Sequence, residues 1–179
     1  MADWDTAYNW MMNFEDAARA CAPVSDACPV GVAGPCFAIS GINSGAWPEE
    51  FEAIHALPQD QREPFVQQFY ENHFWNKWYA QLVSDELCKR VFDFAVNGGS
   101  GASVRCLQQA LNHLAGDVGA QLVDDGDWGP ITVDAANSAD PGELVEAFQA
   151  ERVAYYQAIA ATHPGMAVYL GNWLARAQK

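Results

Sequence analysis

The stretch that decides the fold is "VFDFAVNGGSGASVRCLQQALN", residues 91–112. It reads as the end of one helix, a stop at Asn97-Gly98-Gly99, and the run of a second helix. The first helix opens at Ser84, in a capping box that is incomplete because Leu87 stands where a glutamate is usual. Asp93 lies between Phe92 and Phe94. That placement predicts a buried, hydrogen-bonded carboxylate that ties helices together.

Working outward, the chain stays helical. Residues 5–21 place Ala7, Trp10, Met11, Phe14, Ala18 and Cys21 at helical spacing, with Asp5 as the candidate cap. "PEEFEAIHAL" predicts a helix beginning at Pro48, since proline suits the first helical position. "QDQREPFVQQFYENHFWNKW" predicts a second, aromatic-rich helix. Beyond the central pair, "ITVDAANSA", "GELVEAFQAERVAYYQAIAATH" and "MAVYLGNWLARAQK" predict three more. "DDGDWGP", residues 124–130, lacks the closing glutamate of a calcium loop and reads as a turn. The exception is residues 22–47, rich in Pro, Gly and Ser, where "CFAISGI" predicts a short β piece. The fold class is therefore mainly α, with an irregular N-terminal loop.

A chain of 179 residues is long enough to bury a core without staples. Its net charge of -14, with only nine Lys and Arg, excludes nucleic acid as a partner. No apolar run approaches the length of a membrane span, so no membrane insertion is expected. The segment "MADWDTAYNW" is acidic and has neither the basic nor the apolar region of a secretory signal. Synthesis in the cytoplasm, with delivery by another agent, is the expectation. The sequence holds no G-x-S-x-G, H-E-x-x-H or P-loop pattern.

The N-terminal stretch "NFEDAARACAPVSDACPVGVAGPCFAIS", residues 13–40, carries the chemistry. Glu15 stands near the end of the first helix beside Trp10 and Phe14, with Trp47 further on. A carboxyl among apolar rings can hold its proton and donate it, as glycosidic cleavage requires. The competing reading is a solvated helix-face glutamate. Cys21, Cys28 and Cys36 share one loop, without C-x-x-C spacing or a nearby histidine. That argues for a disulfide between two of the three rather than a metal site. Cys88 and Cys106, in apolar helical sequence, read as core. "YENHFWNKW", residues 70–78, sets flat rings beside amides; a sugar groove and plain core packing are its two readings.

The order of motifs resembles the glycoside hydrolase 108 family of peptidoglycan muramidases with its C-terminal predicted peptidoglycan-binding region. The likeness rests on "YENHFWNKW", "VFDFAVNGG" with the Leu-Gln helix after it, "DGDWGPITVDAAN", and the closing "AFQAERVAYYQ" to "GNWLARA". It implies a lysozyme-like helical fold, with residues 1–90 as the catalytic region. Residues 91–179 would be the helical peptidoglycan-binding region, packed with the first as one globular unit. It implies cleavage of the β-1,4 bond between N-acetylmuramic acid and N-acetylglucosamine, with no cofactor. The family's catalytic glutamate, in a Glu-Gly-Gly-Tyr motif, falls by position on Glu15. Here Asp-Ala-Ala follows Glu15, and the glycine-rich family loop is replaced by "SDACPVGVAGPCFAIS". Asp26 is the acid left in that loop; Asp26 or Ser40 would position water. Tyr70, Trp75, Asn97 and Phe37 would contact sugar. The resemblance further implies a monomer acting at the cell wall, delivered by a holin, a virion or secretion machinery, and facing an immunity protein in the last case. The alternative is an impaired peptidoglycan-binding or structural module of a phage tail or secretion apparatus.

Overall fold

The computed structural model of the protein describes residues 2–29, 31–116, 119 and 121–179. The chain divides into two compact units. One is Tyr8–Trp75; the other is Asn76–Lys179 together with Met1–Ala7.

Helix α1 covers Trp4–Glu15. Its cap is Asp3, two residues earlier than the sequence suggests: the Asp3 carboxylate accepts from the Thr6 amide at 3.0 Å. It also stops earlier than Cys21. The Asp16 carboxylate accepts from the Ala20 and Cys21 amides at 3.0 and 2.8 Å. Those local bonds close a turn that competes with further helix. Arg19 and Cys21 take positive φ of 51° and 47° in that turn. Non-glycine residues pay for that conformation, by about 1–3 kcal/mol each, and the two Asp16 bonds offset part of the cost.

The loop that follows is more ordered than its composition suggests. It forms a small antiparallel sheet of β1 (Pro23–Asp26), β2 (Cys36–Ile39) and β3 (Ile42–Asn43), in the order β1-β2-β3. Ile39 pairs with Ile42, leaving Ser40 and Gly41 as a two-residue turn. Both have positive φ, 48° and 83°. Two positive φ values are what a type I′ hairpin demands, and they match the twist of the strands. Ala38, Ile39 and Ile42 are buried.

Helices α2 (Pro48–His55) and α3 (Glu63–Phe74) complete this unit. α3 ends four residues before the predicted Trp78, because Trp75 turns to extended backbone with ψ of 143°. Trp47 packs on Phe69, His73 and Phe74. Buried Arg62 donates to the carbonyls of Leu57, Cys21 and His55.

The other unit is built from α4 (Asp85–Gly98), α5 (Ser100–Ala115), α6 (Pro130–Ser138), α7 (Pro141–Thr162) and α8 (Leu170–Ala177). Ser84 caps α4 through the Leu87 amide despite the incomplete box. Gly99, with φ of 93°, makes the break between α4 and α5. Asp93 is fully buried and pairs with Arg152 of α7 at 2.8 Å and Arg176 of α8 at 2.7 Å. One carboxylate therefore ties three helices. The turn at 124–127 is held by buried Gln108, which donates to the Asp125 carboxylate and the Asp127 carbonyl and accepts from the Gly126 amide. Cys88 and Cys106 are core residues. Burial pushes both thiols up, Cys106 to about 12.

Candidate functional site

Glu15 is the last residue of α1 and is half-buried. The turn between β2 and β3 is pressed against it. A Cβ placed on Gly41 would stand 2.5 Å from Glu15 Oε2 and 2.6 Å from the Tyr70 hydroxyl oxygen. A side chain there would have to displace the Glu15 carboxyl or the Tyr70 hydroxyl, and the φ of 83° favours glycine independently. The carboxylate and the phenol thus meet at the backbone of Gly41. Trp47 packs edge-on against Phe69 and Phe74 and tilted over His73, all on α3.

Tyr70, on α3, is 2% exposed, and its hydroxyl donates to the Ser40 carbonyl at 2.8 Å. Its ring packs against Tyr8, Phe69 and Phe74. A face covered by rings cannot stack on a sugar, so the expectation for Tyr70 is corrected to a supporting role. Ser40 is corrected likewise. It is 4% exposed, and its hydroxyl donates to Asp16 Oδ2 at 2.8 Å. A buried, committed hydroxyl does not position a water at the surface.

Asp16 is the residue that sequence reasoning passed over. Its carboxylate takes the amides of Ala20 and Cys21 and the hydroxyl of Ser40. Burial acts to raise its pKa. The Cys21 amide, Ser40, the Ala20 amide and Arg19 outweigh that and hold it below the usual aspartate value. Asp16 is therefore ionised at neutral pH. The signals in the sequence were an acid directly after a helix-ending glutamate, and the Ser-Gly pair inside "CFAISGI".

Asp26 ends β1 and is exposed. Its Oδ2 accepts from Asn43 Nδ2 at 2.7 Å and its Oδ1 from the Ala27 amide at 2.8 Å, which fixes the carboxylate. Phe37, on β2, is 43% exposed, with its backbone held by Ser44. Trp75 is half-buried at the end of α3. Asn97 belongs to the other unit, where its amide oxygen accepts from the Tyr156 hydroxyl.

The disulfide joins Cys28 and Cys36. Cys21, the third candidate, stays a buried thiol facing Glu63 and Ser40. Burial raises its pKa. The bridge ties the start of β2 back to the residue that follows β1 by two positions.

Residues 39–99 match the model of Glycosyl hydrolase 108, and residues 102–178 match that of a Predicted Peptidoglycan domain. Over residues 39–99 the chain is similar to the glycoside hydrolase 108 family. No curated protein matches it. Among solved structures it is similar to "Structure of Brucella abortus SagA", with 17% identity over 98% of this chain and 93% of that one, at a TM-score of 0.60. A likeness at that identity is one of fold. The fold is mainly α and lysozyme-like. The two matched models make it a glycoside hydrolase directed at peptidoglycan. Glu15 and Asp26 precede the matched segment, so their roles rest on geometry and on position. Among the described residues no helix is long and apolar enough to cross a membrane.

Proposed function

We propose that this protein is a muramidase: it cleaves the β-1,4 bond between N-acetylmuramic acid and N-acetylglucosamine, with Glu15 as the general acid. The observation that carries this reading is the close seat of the Glu15 carboxyl against Gly41 and Tyr70 at the end of α1. A glycosidic oxygen must receive a proton as its bond breaks, and a carboxyl with fixed orientation supplies it. Positive charge then develops at the anomeric carbon. Asp26, fixed by Asn43, is assigned the task of orienting the attacking water. Phe37 and Trp75 are assigned to the sugar, which flat rings hold by their faces. The site of action in this reading is the cell wall, reached by holin, virion or secretion-system delivery.

The test is to digest purified peptidoglycan, reduce the products with borohydride and identify the reduced sugar by mass spectrometry. Muramidase action yields reduced N-acetylmuramic acid at the new ends. Reduced N-acetylglucosamine would replace this reading with a glucosaminidase, and no new ends from folded protein would point to a binding module.

A further inference from the structure

We infer that Asp16 is a positioning residue for Glu15, locking the chain on both sides of the acid through the Ala20 and Cys21 amides and the Ser40 hydroxyl. The inference rests on the reading of Glu15 as the proton donor. Three observations converge on it. The turn leaving α1 contains two positive-φ residues, Arg19 and Cys21, neither of them glycine. Asp16 accepts the amide of Cys21 itself and that of Ala20 between them. Across the sheet, Ser40 also has positive φ, and its buried hydroxyl is given to the same carboxylate. Its carbonyl accepts from Tyr70. Ser40 is thus gripped at the side chain by Asp16 and at the backbone by Tyr70. Its neighbour Gly41 is the backbone against which the Glu15 carboxyl rests.

The chemical consequence is a division of labour between adjacent carboxyls. Asp16 commits its carboxylate oxygens to three donors, the Ala20 and Cys21 amides and the Ser40 hydroxyl. Its task is to fix where Gly41 sits, and so where Glu15 aims. Release of Ser40 would let the hairpin turn drift. Misplacement of a catalytic group by about 1 Å costs on the order of 100-fold in rate. The loss would appear in kcat, because substrate contacts elsewhere are untouched.

The experiment measures kcat and KM on soluble glycan-strand fragments for wild type, Asp16→Asn, Ser40→Ala, the double variant and Glu15→Gln, with thermal unfolding of each. The expected result is a fall in kcat of about 10- to 100-fold for Asp16→Asn, with KM within about twofold. Ser40→Ala should fall in the same direction, and the double variant should be no slower than Asp16→Asn, since both break one path. Unchanged kcat in folded Asp16→Asn overturns the inference, as does a double variant whose losses multiply. Should Asp16→Asn fail to fold, Ser40→Ala decides alone: it leaves the two amide bonds intact, and an unchanged kcat overturns the inference. Cleavage that survives Glu15→Gln would instead overturn the assignment of the acid, whatever the Asp16 variants do.

Discussion

Each unit of the molecule buries an arginine, and the two are satisfied in different currencies of hydrogen bonding. Arg152, 2% exposed, pairs with the Asp93 carboxylate and with Tyr156. Arg62, 7% exposed, gives its protons to three backbone carbonyls, those of Leu57, Cys21 and His55. The first arrangement fastens helix to helix. The second fastens helix to loop, and it is one of several such ties near Glu15, with Asp16 and Tyr70. The difference teaches where each unit places its polar groups. The helical unit uses ion pairs to hold its core in register. The unit bearing Glu15 uses side chains to hold irregular backbone.

The largest effect that would break this contrast is at Asp93. Asp93→Ala leaves Arg152 and Arg176 without their shared carboxylate in a buried site. Removal of one partner of a buried pair costs about 3–5 kcal/mol. Urea unfolding should show that loss, with hydrogen exchange placing it on α4, α7 and α8. A cost below about 1 kcal/mol, the range of solvated pairs, would mean that the cluster does not lock the helices.

Gly41→Ala comes next and strikes the other unit through its backbone. A methyl at that point overlaps the Glu15 carboxyl and the Tyr70 hydroxyl. Glycan-strand cleavage should fall about 100-fold, the usual result of a misplaced catalytic group, while circular dichroism stays helical. Full activity in this variant would remove the turn from the site.

The disulfide sharpens the comparison further. Replacing Cys28 and Cys36 by alanine releases a short loop, and the loss by chain entropy is about 2–3 kcal/mol. Wild type and the variant should differ in unfolding free energy, obtained from urea titration, by that amount under oxidising conditions. They should converge when wild type is treated with reductant. Identical midpoints in oxidant would mean that the loop is held without the bridge.

The smallest effect is in pH. The Asp16 pKa is lower folded than unfolded, so its contribution is present above the unfolded value, near 3.8, and is lost as pH falls through the folded value. Thermal unfolding of wild type should therefore weaken below about pH 4, and Asp16→Asn should show a flatter acid limb. Parallel acid limbs would show that Asp16 is not held ionised by its three donors.

Much of the helical unit was legible because its signals are local. Gly98-Gly99 marked the break between α4 and α5, and an acid between Phe92 and Phe94 marked the tie among helices. The ends of α1 were not legible. Asp3 and Asp5 are equally good caps by type, and only the bond to Thr6 separates them. The helix gave way at Glu15 because Asp16 bonds forward to Ala20 and Cys21, a contest that apolar periodicity does not register. The β1 strand was missed because its four residues are exposed and include a proline, with no alternation to betray them. Glu15 was singled out because it stands near a helix end beside aromatic residues and falls by position on the family's glutamate. Gly41 and Asp16 were not, since their importance lies in what they touch across the sheet. Tyr70 was read as a sugar contact and Ser40 as a water-positioning group because polarity in sequence says nothing of burial.

The most direct test of the account is the cleavage of purified peptidoglycan by wild type and Glu15→Gln, followed as newly formed reducing ends. The glutamine keeps the shape of the carboxyl but has no acidic proton to give. The account predicts new ends with wild type and a loss of at least about 100-fold, the low end for a positioned acid, with Glu15→Gln folded as wild type. Equal rates from the two proteins would contradict it.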